Sequence, residues 1–335
     1  MKSIRLNYNV IGPGGGYDRL VMTAAFGLRA RGWNVLLPKR EREYAMFGRW
    51  DGEGECDLLF HIPEAVIPAR AHFTMWETTK CSPPAFRREL IITPNSLNAE
   101  MFELFADNVE VCHLFVDTQF TFLPPAKPFT FLCVAHTHGA PHRKRVYDVI
   151  EAFCKAFPKE SDVRLVVKQS PRCTETPCFD RRVEFIRQDL PRKDFIKLLA
   201  SAHVGVFAGS EGWGLPHTEL MAMGRPVIAA PWAGVAEYLD LSNGWPIEYE
   251  MIQAPEEVYH RRGEMPKVSI PGMIAAMQEA YSDKFLTARK GLAAAQRAAD
   301  FTPTRFAARL DQILTAHGIQ APMATTYDNG CEAVS

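Results

Sequence analysis

The feature that most constrains the fold is an alternation of short apolar runs with amphipathic helical patterns, which occurs twice along the 335 residues. This alternation predicts βα units, whose strands form a parallel sheet covered by helices on both faces. It breaks at residues 114–128, where prolines stand at positions 124, 125 and 128. The break predicts a linker between two α/β, doubly wound, Rossmann-like domains that face a central cleft at their strand ends.

In the first half, strands are predicted at 3–10, 33–37, 57–61, 71–76, 90–93 and 109–112, with a helix at 95–105. A glycine-rich loop follows the first strand, and five apolar residues after it share one helical face: Leu20, Val21, Ala24, Ala25 and Leu28. In the second half, strands are predicted at 129–135, 163–168, 183–187, 204–208 and 226–230. Helices are predicted at 144–157, 191–201 and 215–223, and residues 272–318 are expected to be helical throughout.

Composition and charge give no support to several classes of protein. The formal net charge is -1, and the basic pairs are short and scattered, so no field favours a polyanion. No apolar run approaches the roughly 20 residues that span a bilayer, so stable membrane insertion is not expected. The chain begins without the pattern of a signal peptide, and none of its eight cysteines forms a C-x-x-C pair. Free thiols in the cytoplasm are therefore the expectation.

The most informative segment is residues 208–228, in which a strand enters a glycine-rich turn and then a helix with Pro216 in its first turn. Such a turn presents free backbone N–H groups and the positive end of the helix dipole to a ligand, so it favours an anion such as a diphosphate. Glu211 lies in the turn, and Glu219 lies two helical turns further on. One carboxylate can therefore contact a sugar while the other binds another part of a nucleotide.

This segment resembles the signature of the retaining GT-B glycosyltransferases of family four, the glycosyl transferases group 1. The resemblance runs from Ser210 to Val227, with Leu220 in place of the usual alanine. In the first half, residues 14–16 resemble the glycine loop of the family, and residues 75–78 and 92–96 resemble segments found in many members. The resemblance implies a GT-B fold and transfer of a sugar from a nucleotide-sugar donor to an acceptor hydroxyl with retention.

Several roles follow from the resemblance. Glu219 would hold the donor ribose, and Glu211 would contact the transferred sugar. Arg143 and Lys144 would bind the diphosphate as catalytic cations, because negative charge collects there when the glycosidic bond breaks. The remaining donor-side candidates are Ser210, Gly212, Trp213, Gly214, Leu215, His138 and Lys168. The candidates for the acceptor or the sugar loop are Gly14, Gly15, Gly16, His61 and Glu77.

Three of these assignments have alternatives. Many members of the family place an additional arginine after the first donor-domain strand, where this chain has a loop with His136, His138 and His142. His138 is the candidate replacement; a loop of ordinary cleft histidines and a histidine metal site are the alternatives. Trp213 could form a wall of the donor site or pack in the core. His61 could touch the acceptor or be a buried structural histidine.

No Asp-x-Asp occurs in the chain, which argues against the metal-dependent GT-A glycosyltransferases. We therefore expect no metal and no cofactor, with the nucleotide-sugar as co-substrate. The loop at residues 12–17 lacks the third glycine of a dinucleotide fingerprint, which argues against a dehydrogenase. A nucleotide-sugar epimerase and a catalytically silent nucleotide-sugar binding module remain as alternatives.

The expected organisation is an acceptor-side domain at 1–125, a donor-binding domain at 126–300 and a flexible tail at 319–335. The helix at 301–318 would pack back on the first domain. Expected acceptors are a glycan, a lipid-linked glycan or a modified nucleic-acid base.

Overall fold

The computed structural model describes residues 2–8, 16–37, 56–61, 69–81, 90–117, 120, 127–135, 141–171, 173, 178–256 and 262–319. Within these residues the chain forms two six-stranded parallel sheets and a two-stranded antiparallel hairpin. Each sheet is covered by helices on its faces, as the alternating apolar pattern predicts. The two-domain, doubly wound architecture is therefore confirmed.

The first sheet has the strand order β2-β1-β3-β4-β5-β6. Its elements are β1 (Lys2–Tyr8), α1 (Gly16–Ala30), β2 (Trp33–Leu36), β3 (Cys56–Phe60), β4 (Ala69–Phe73), β5 (Leu90–Thr93), α2 (Ser96–Phe102) and β6 (Asn108–Val111). The five apolar residues that the sequence places on one face of α1 are all buried. The strand order reverses between β1 and β3, which lie side by side. Ligands of such sheets bind at this kind of reversal.

The second sheet has the strand order β12-β11-β10-β7-β8-β9. Its first elements are β7 (Phe129–Val134), α3 (Pro141–Lys144), α4 (Val146–Ala156), β8 (Val163–Gln169), β9 (Val183–Arg187), α5 (Arg192–Ser201) and β10 (Val204–Val206). They are followed by α6 (Leu215–Ala222), β11 (Val227–Ala229), the 3-10 helix η1 (Ala233–Glu237) and β12 (Trp245–Pro246). Here the order reverses between β7 and β10, so the chain that leaves β10 enters the binding crevice of this domain.

The last elements are the hairpin strands β13 (Tyr249–Gln253) and β14 (Glu264–Val268) and the helices α7 (Ile270–Ser282), α8 (Lys284–Ala298) and α9 (Pro303–Ala316). The expectation of one continuous helical segment at 272–318 is wrong in detail, because Asp283 and Thr302 act as N-caps that start new helices. None of the helices in the described part of the chain is long and apolar enough to cross a bilayer.

The predicted helix at 144–157 is also wrong in detail. Arg145 has a φ of 47°, in the left-handed region, and it separates the short helix α3 from α4. A non-glycine residue in this conformation interrupts the helical hydrogen bonds, which a periodic apolar pattern does not reveal. The hairpin β13–β14 was not predicted, because both strands are short, β13 has no buried residue and β14 contains Pro266.

The C-terminal helix α9 packs against α1 of the first domain. The indole nitrogen of Trp33 donates to Asp311 of α9 at 2.9 Å, and Arg31 donates to the same carboxylate at 2.8 Å. At the opposite side of α9, Arg309 donates to Glu110 at 2.7 Å. One apolar core then runs from the first sheet through α9 to the turn after β10. The chain thus returns from the second domain to close the first.

The cysteines of the described residues carry free thiols. Burial raises the pKa of Cys56, Cys112 and Cys133 to about 12. A thiol with so high a pKa stays protonated at neutral pH, and the thiolate is the reactive form. These cysteines therefore serve as small apolar core residues.

We expect Gly27→Ala to lower the free energy of unfolding, because a Cβ at Gly27 would lie 2.3 Å from the Cβ of Ala307. Overpacking of this kind costs about 1–3 kcal/mol, whereas the same substitution in an open helix stabilises by up to about 1 kcal/mol. Urea unfolding measures the difference. The double variant Gly27→Ala/Ala307→Gly is the control and should recover most of the loss. A stabilised single variant would contradict the close approach of α1 and α9.

Candidate active site

The turn between β10 and α6 forms the floor of the cleft at the strand-order reversal of the second domain. Gly214, the N-cap of α6, has a φ of 87°, which favours glycine. A Cβ at this position would lie 2.7 Å from Nδ1 of His217 and 2.9 Å from the hydroxyl of Tyr238. The glycine therefore sets the tight path by which the chain enters the helix, and it points the N-terminus of α6 into the cleft.

Two cations and two carboxylates meet beside this turn. Lys144 Nζ donates to Glu211 Oε1, and Arg143 Nη1 lies 3.6 Å from Glu211 Oε2. The same Arg143 nitrogen lies 3.1 Å from Oε1 of Glu77, which belongs to the first domain. The four side chains are between 12% and 17% exposed, so they are largely shielded from water but still open to the cleft. We call these four residues the ion cluster.

Burial acts on the whole ion cluster, but its members respond differently. Burial raises the pKa of Glu77 above its ordinary value. Burial would also raise the pKa of Glu211, but the charges of Lys144 and Arg143 outweigh it and bring that pKa to about 2. Burial, together with the neighbouring Arg143, lowers the pKa of Lys144. Glu211 therefore stays ionised, and Glu77 is the carboxylate closest to protonation.

The backbone of the turn packs directly on α3. Arg143 Nη1 donates to the carbonyl of Ser210 at 2.8 Å, and the hydroxyl of Ser210 donates to the carbonyl of Glu77. A Cβ at Gly209 would lie 2.8 Å from the carbonyl oxygen of Arg143. The left-handed Arg145 ends α3 at this point. Arg143 and Lys144 are therefore held by the turn itself.

The second carboxylate of the motif, Glu219, is 1% exposed and pairs with two arginines. Arg19 of α1 lies 2.6 Å from Oε1 of Glu219, and Arg192 of α5 lies 3.4 Å from the same oxygen. Arg192 also lies 3.4 Å from Asp117, and its guanidinium lies 4.5 Å from the ring centroid of Phe120. Sequence reasoning missed both arginines. Their signal was weak, because each is a single arginine in the first turn of a helix.

The segments at 75–78 and 92–96 of the first domain lie against the turn. Asn95 donates from Nδ2 to the carbonyl of Gly212 at 2.6 Å, while its Oδ1 accepts from the backbone of Asn98 and caps α2. A Cβ at Gly212 would lie 3.0 Å from the side chain of Met75. Asn95 is thus a residue of the domain contact as well as the N-cap of α2.

Two of the predicted site residues have side chains in the core. Trp213 is 1% exposed and packs against Tyr238 and Phe301, so core packing is correct and a wall of the donor site is wrong for this side chain. His61 is fully buried, and its Nε2 lies 2.9 Å from Nδ1 of His72. The structure therefore favours the buried structural histidine.

Other candidates lie apart from the ion cluster or outside the described residues. Lys168 donates to the carbonyl of Gln169 at 2.8 Å, and burial lowers its pKa. Leu215 starts α6 and packs against the core. Gly16 starts α1, whereas Gly14, Gly15, His136 and His138 lie outside the described residues, as does the side chain of His142. Among the residues that the structure does describe, no group of three or more His, Cys, Asp or Glu could hold a metal ion.

The described part of the molecule also contains one buried histidine with unusual surroundings. His217, in the first turn of α6, stacks on Phe207 with ring centroids 3.7 Å apart. Within the described residues neither ring nitrogen has an aligned hydrogen-bond partner, although the carbonyl of Gly214 is close enough to favour protonation. Burial nevertheless dominates and lowers the pKa of His217 to about 4. The ring is therefore neutral at physiological pH.

Comparison with known proteins finds a family match within the second domain. Residues 128–260 match the family model of the glycosyl transferases group 1. This match includes the segment 208–228 and confirms the resemblance to that family. No curated protein matches the chain.

Three solved structures show the fold of the whole molecule. The sucrose-phosphate synthase of Thermosynechococcus elongatus is 15% identical with a TM-score of 0.67, and the match covers 94% of this chain and 99% of that one. Anabaena HepE, solved with UDP and glucose, is 13% identical with a TM-score of 0.64, over 94% of this chain and 100% of that one. WaaG, a glycosyltransferase involved in lipopolysaccharide biosynthesis, is 15% identical with a TM-score of 0.64, over the same shares. The chain therefore has the GT-B fold.

The buried neutral His217 generates a prediction about acid stability. Its folded pKa of about 4 lies below the unfolded value of about 6.5, so the unfolded state binds the additional proton. The stability that depends on the neutral ring is complete above about pH 6.5 and falls as the pH is lowered, by about 3 kcal/mol at pH 4. We expect His217→Phe to lose less stability than the wild-type chain between pH 7 and pH 4. The free energy of unfolding in urea measures this difference.

His203 provides the internal reference, because burial lowers its pKa to about 4 as well. The variant His217→Phe should therefore still lose part of its stability at acid pH, because His203 remains. Superimposable pH profiles of the variant and the wild-type chain would contradict the neutral, buried state of His217.

Proposed function

We propose that this chain, which carries a glycosyl transferases group 1 domain on a GT-B fold, is a retaining, metal-independent glycosyltransferase. It moves a sugar from a nucleoside diphosphate to an acceptor hydroxyl. The observation that carries the proposal is the ion cluster, which lies beside the N-terminus of α6 at the strand-order reversal. Cations and backbone donors converge there on the place where a diphosphate binds in such folds.

The chemistry needs positive charge at one point. When the bond between the anomeric carbon and the phosphate oxygen breaks, negative charge develops on the leaving diphosphate. Arg143 and Lys144 lie where they can neutralise it, and the turn holds them in position before the donor arrives. Preorganised cations cost no reorganisation during the reaction. Because side chains supply this charge, we propose that no metal is required.

We assign the donor contacts as follows. The backbone of Gly212 to Leu215 binds the phosphates and the sugar, Glu211 accepts from sugar hydroxyls, and Glu219 accepts from the ribose. The burial and ionisation of Glu211 support its role, because an ionised carboxylate is a strong hydrogen-bond acceptor. The structure of HepE contains UDP and glucose, so UDP-sugars are the first donors to test.

Retention follows if the acceptor hydroxyl attacks from the face that the diphosphate leaves. The anomeric carbon then gains a bond to the acceptor oxygen, and the proton of the hydroxyl passes to the departing phosphate oxygen. Glu211, the carboxylate of the turn, is held between Lys144 and Arg143. An ion-paired carboxylate with a pKa of about 2 is a weak base and a weak nucleophile. This property favours proton transfer to the phosphate.

The acceptor binds on the side of the first domain. Glu77 belongs to that domain and contacts the ion cluster, so it can orient the attacking hydroxyl by accepting its hydrogen bond. A glycan, a lipid-linked glycan or a modified nucleic-acid base supplies such a hydroxyl. The free buried thiols suit a reducing compartment, and we place the reaction in the cytoplasm.

Donor binding is tested first by thermal shift, with UDP-, GDP- and ADP-sugars in the presence and absence of EDTA. A ligand at 100 times its dissociation constant adds about 2.7 kcal/mol to the free energy of unfolding. We expect one donor to stabilise the wild-type chain with or without EDTA, and to stabilise Glu219→Ala far less. Glu279→Ala is the control, because Glu279 accepts from Trp245 outside the cleft. Binding that requires a metal would contradict the proposal.

Catalysis is tested by Arg143→Met and Lys144→Met. Removal of one preorganised charge donor lowers kcat by about 10² to 10³. Lys155→Met is the control, because Lys155 forms an exposed pair with Glu151 on α4. NMR of the product should show the anomeric configuration of the donor sugar. An inverted product would overturn the retaining mechanism, and donor turnover without any acceptor would favour an epimerase.

A further inference from the structure

We propose that Arg19 is a positioning residue of the nucleotide site, contributed by the acceptor-side domain. It holds the carboxylate of Glu219 in the orientation that accepts hydrogen bonds from the ribose hydroxyls. The ribose site is then complete only when both domains take part in it. This inference rests on the proposed function, in which Glu219 binds the ribose.

The contact joins parts of the chain that are 200 residues apart. Arg19 lies in the first turn of α1, directly after the glycine-rich loop, and Glu219 lies on α6 of the other domain. Arg19 Nη2 donates to Glu219 Oε1 at 2.6 Å, a distance typical of a strong charge-assisted hydrogen bond. The Arg19 side chain is 26% exposed and the Glu219 side chain 1% exposed. The arginine thus reaches from the cleft surface to a buried carboxylate.

The two oxygens of Glu219 are used differently. Arg19 and Arg192 both donate to Oε1. No donor from the described residues reaches Oε2 with hydrogen-bond geometry, so this oxygen remains available to a ligand hydroxyl. A carboxylate whose first oxygen is fixed by a 2.6 Å bond has little freedom to rotate. Arg19 therefore fixes the direction in which Oε2 accepts.

Within the described residues, the ion pairs of this group join two cations to two anions. Arg19 and Arg192 carry two positive charges, while Glu219 and Asp117, which lies 3.4 Å from Arg192, carry two negative charges. A buried carboxylate without cationic partners would be strongly destabilised. It would also repel the diphosphate of the same ligand. The two arginines therefore let a buried acceptor of the ribose lie close to an anion.

A purely structural ion pair between the domains is the competing explanation, and the ribose hydroxyls distinguish the two. The probes are UDP, GDP and ADP, each compared with its 2′,3′-dideoxy analogue by calorimetric titration of the full chain. For the nucleotide that binds, we expect the wild-type chain to prefer the ribose form by at least about tenfold, the worth of one hydrogen bond to a charged group. In Arg19→Met this preference should fall below about threefold, because only the ribose form loses a contact.

Arg31→Met is the matched control, since Arg31 also forms a side-chain pair across elements, with Asp311 at 2.8 Å, away from the cleft. It should keep the preference of the wild-type chain. Arg19→Lys serves as the second variant if Arg19→Met does not fold, and it should also lower the preference, because lysine lacks the planar fork that reaches Oε1.

The remaining outcomes overturn the inference. If an Arg19 variant weakens the ribose and dideoxy forms equally, the pair is structural only. If it tightens binding of the ribose form, Arg19 competes with the ribose and does not position its acceptor. A wild-type chain that binds none of the three nucleotides contradicts the proposed function itself, which separates that failure from a failure of the role of Arg19.

Discussion

The contact between the turn after β10 and the short helix α3 sets the geometry of the cleft. The carbonyl of Ser210 accepts from Arg143, and Gly209 leaves no room for a side chain against the backbone of α3. Because of this packing, the amine of Lys144 and the carboxylate of Glu211 are already hydrogen-bonded before any ligand binds. The left-handed Arg145 serves the same arrangement, since it ends α3 beside the turn.

The first domain completes this arrangement from the opposite side of the cleft. Glu77 shares the Arg143 guanidinium, and Asn95 binds the carbonyl of Gly212. Deeper in the molecule, α9 returns from the second domain and packs on α1, while one apolar core continues between the domains. Arg19 and Glu219 are 200 residues apart in the sequence. Their contact therefore depends on this packing. Under the proposed function, the side chains that bind the nucleotide are therefore also those that join the domains.

Sequence patterns predicted the elements best where the interactions are local. The bounds of β5 and β9 match their apolar runs, and all five residues of the predicted apolar face of α1 are buried. Patterns failed where a single backbone angle or a cap sets the end or the start of a helix, as at Arg145 and at Asp283. They also placed Trp213 in two environments equally well, because a large aromatic residue in a glycine-rich turn suits a binding site and a core alike.

The sequence alone determined the doubly wound class and indicated the candidate anion site, because a strand, a glycine turn and a helix follow one another within residues 204–222 and need only local geometry. Only the tertiary structure decided which cation meets which carboxylate. Glu77 reaches Arg143, and Arg19 reaches Glu219, across separations of 66 and 200 residues that no local pattern encodes. Such ion pairs depend on the packing of two whole domains, because the apolar cores set the distance between the helices and the charged atoms must lie within a few ångströms of each other.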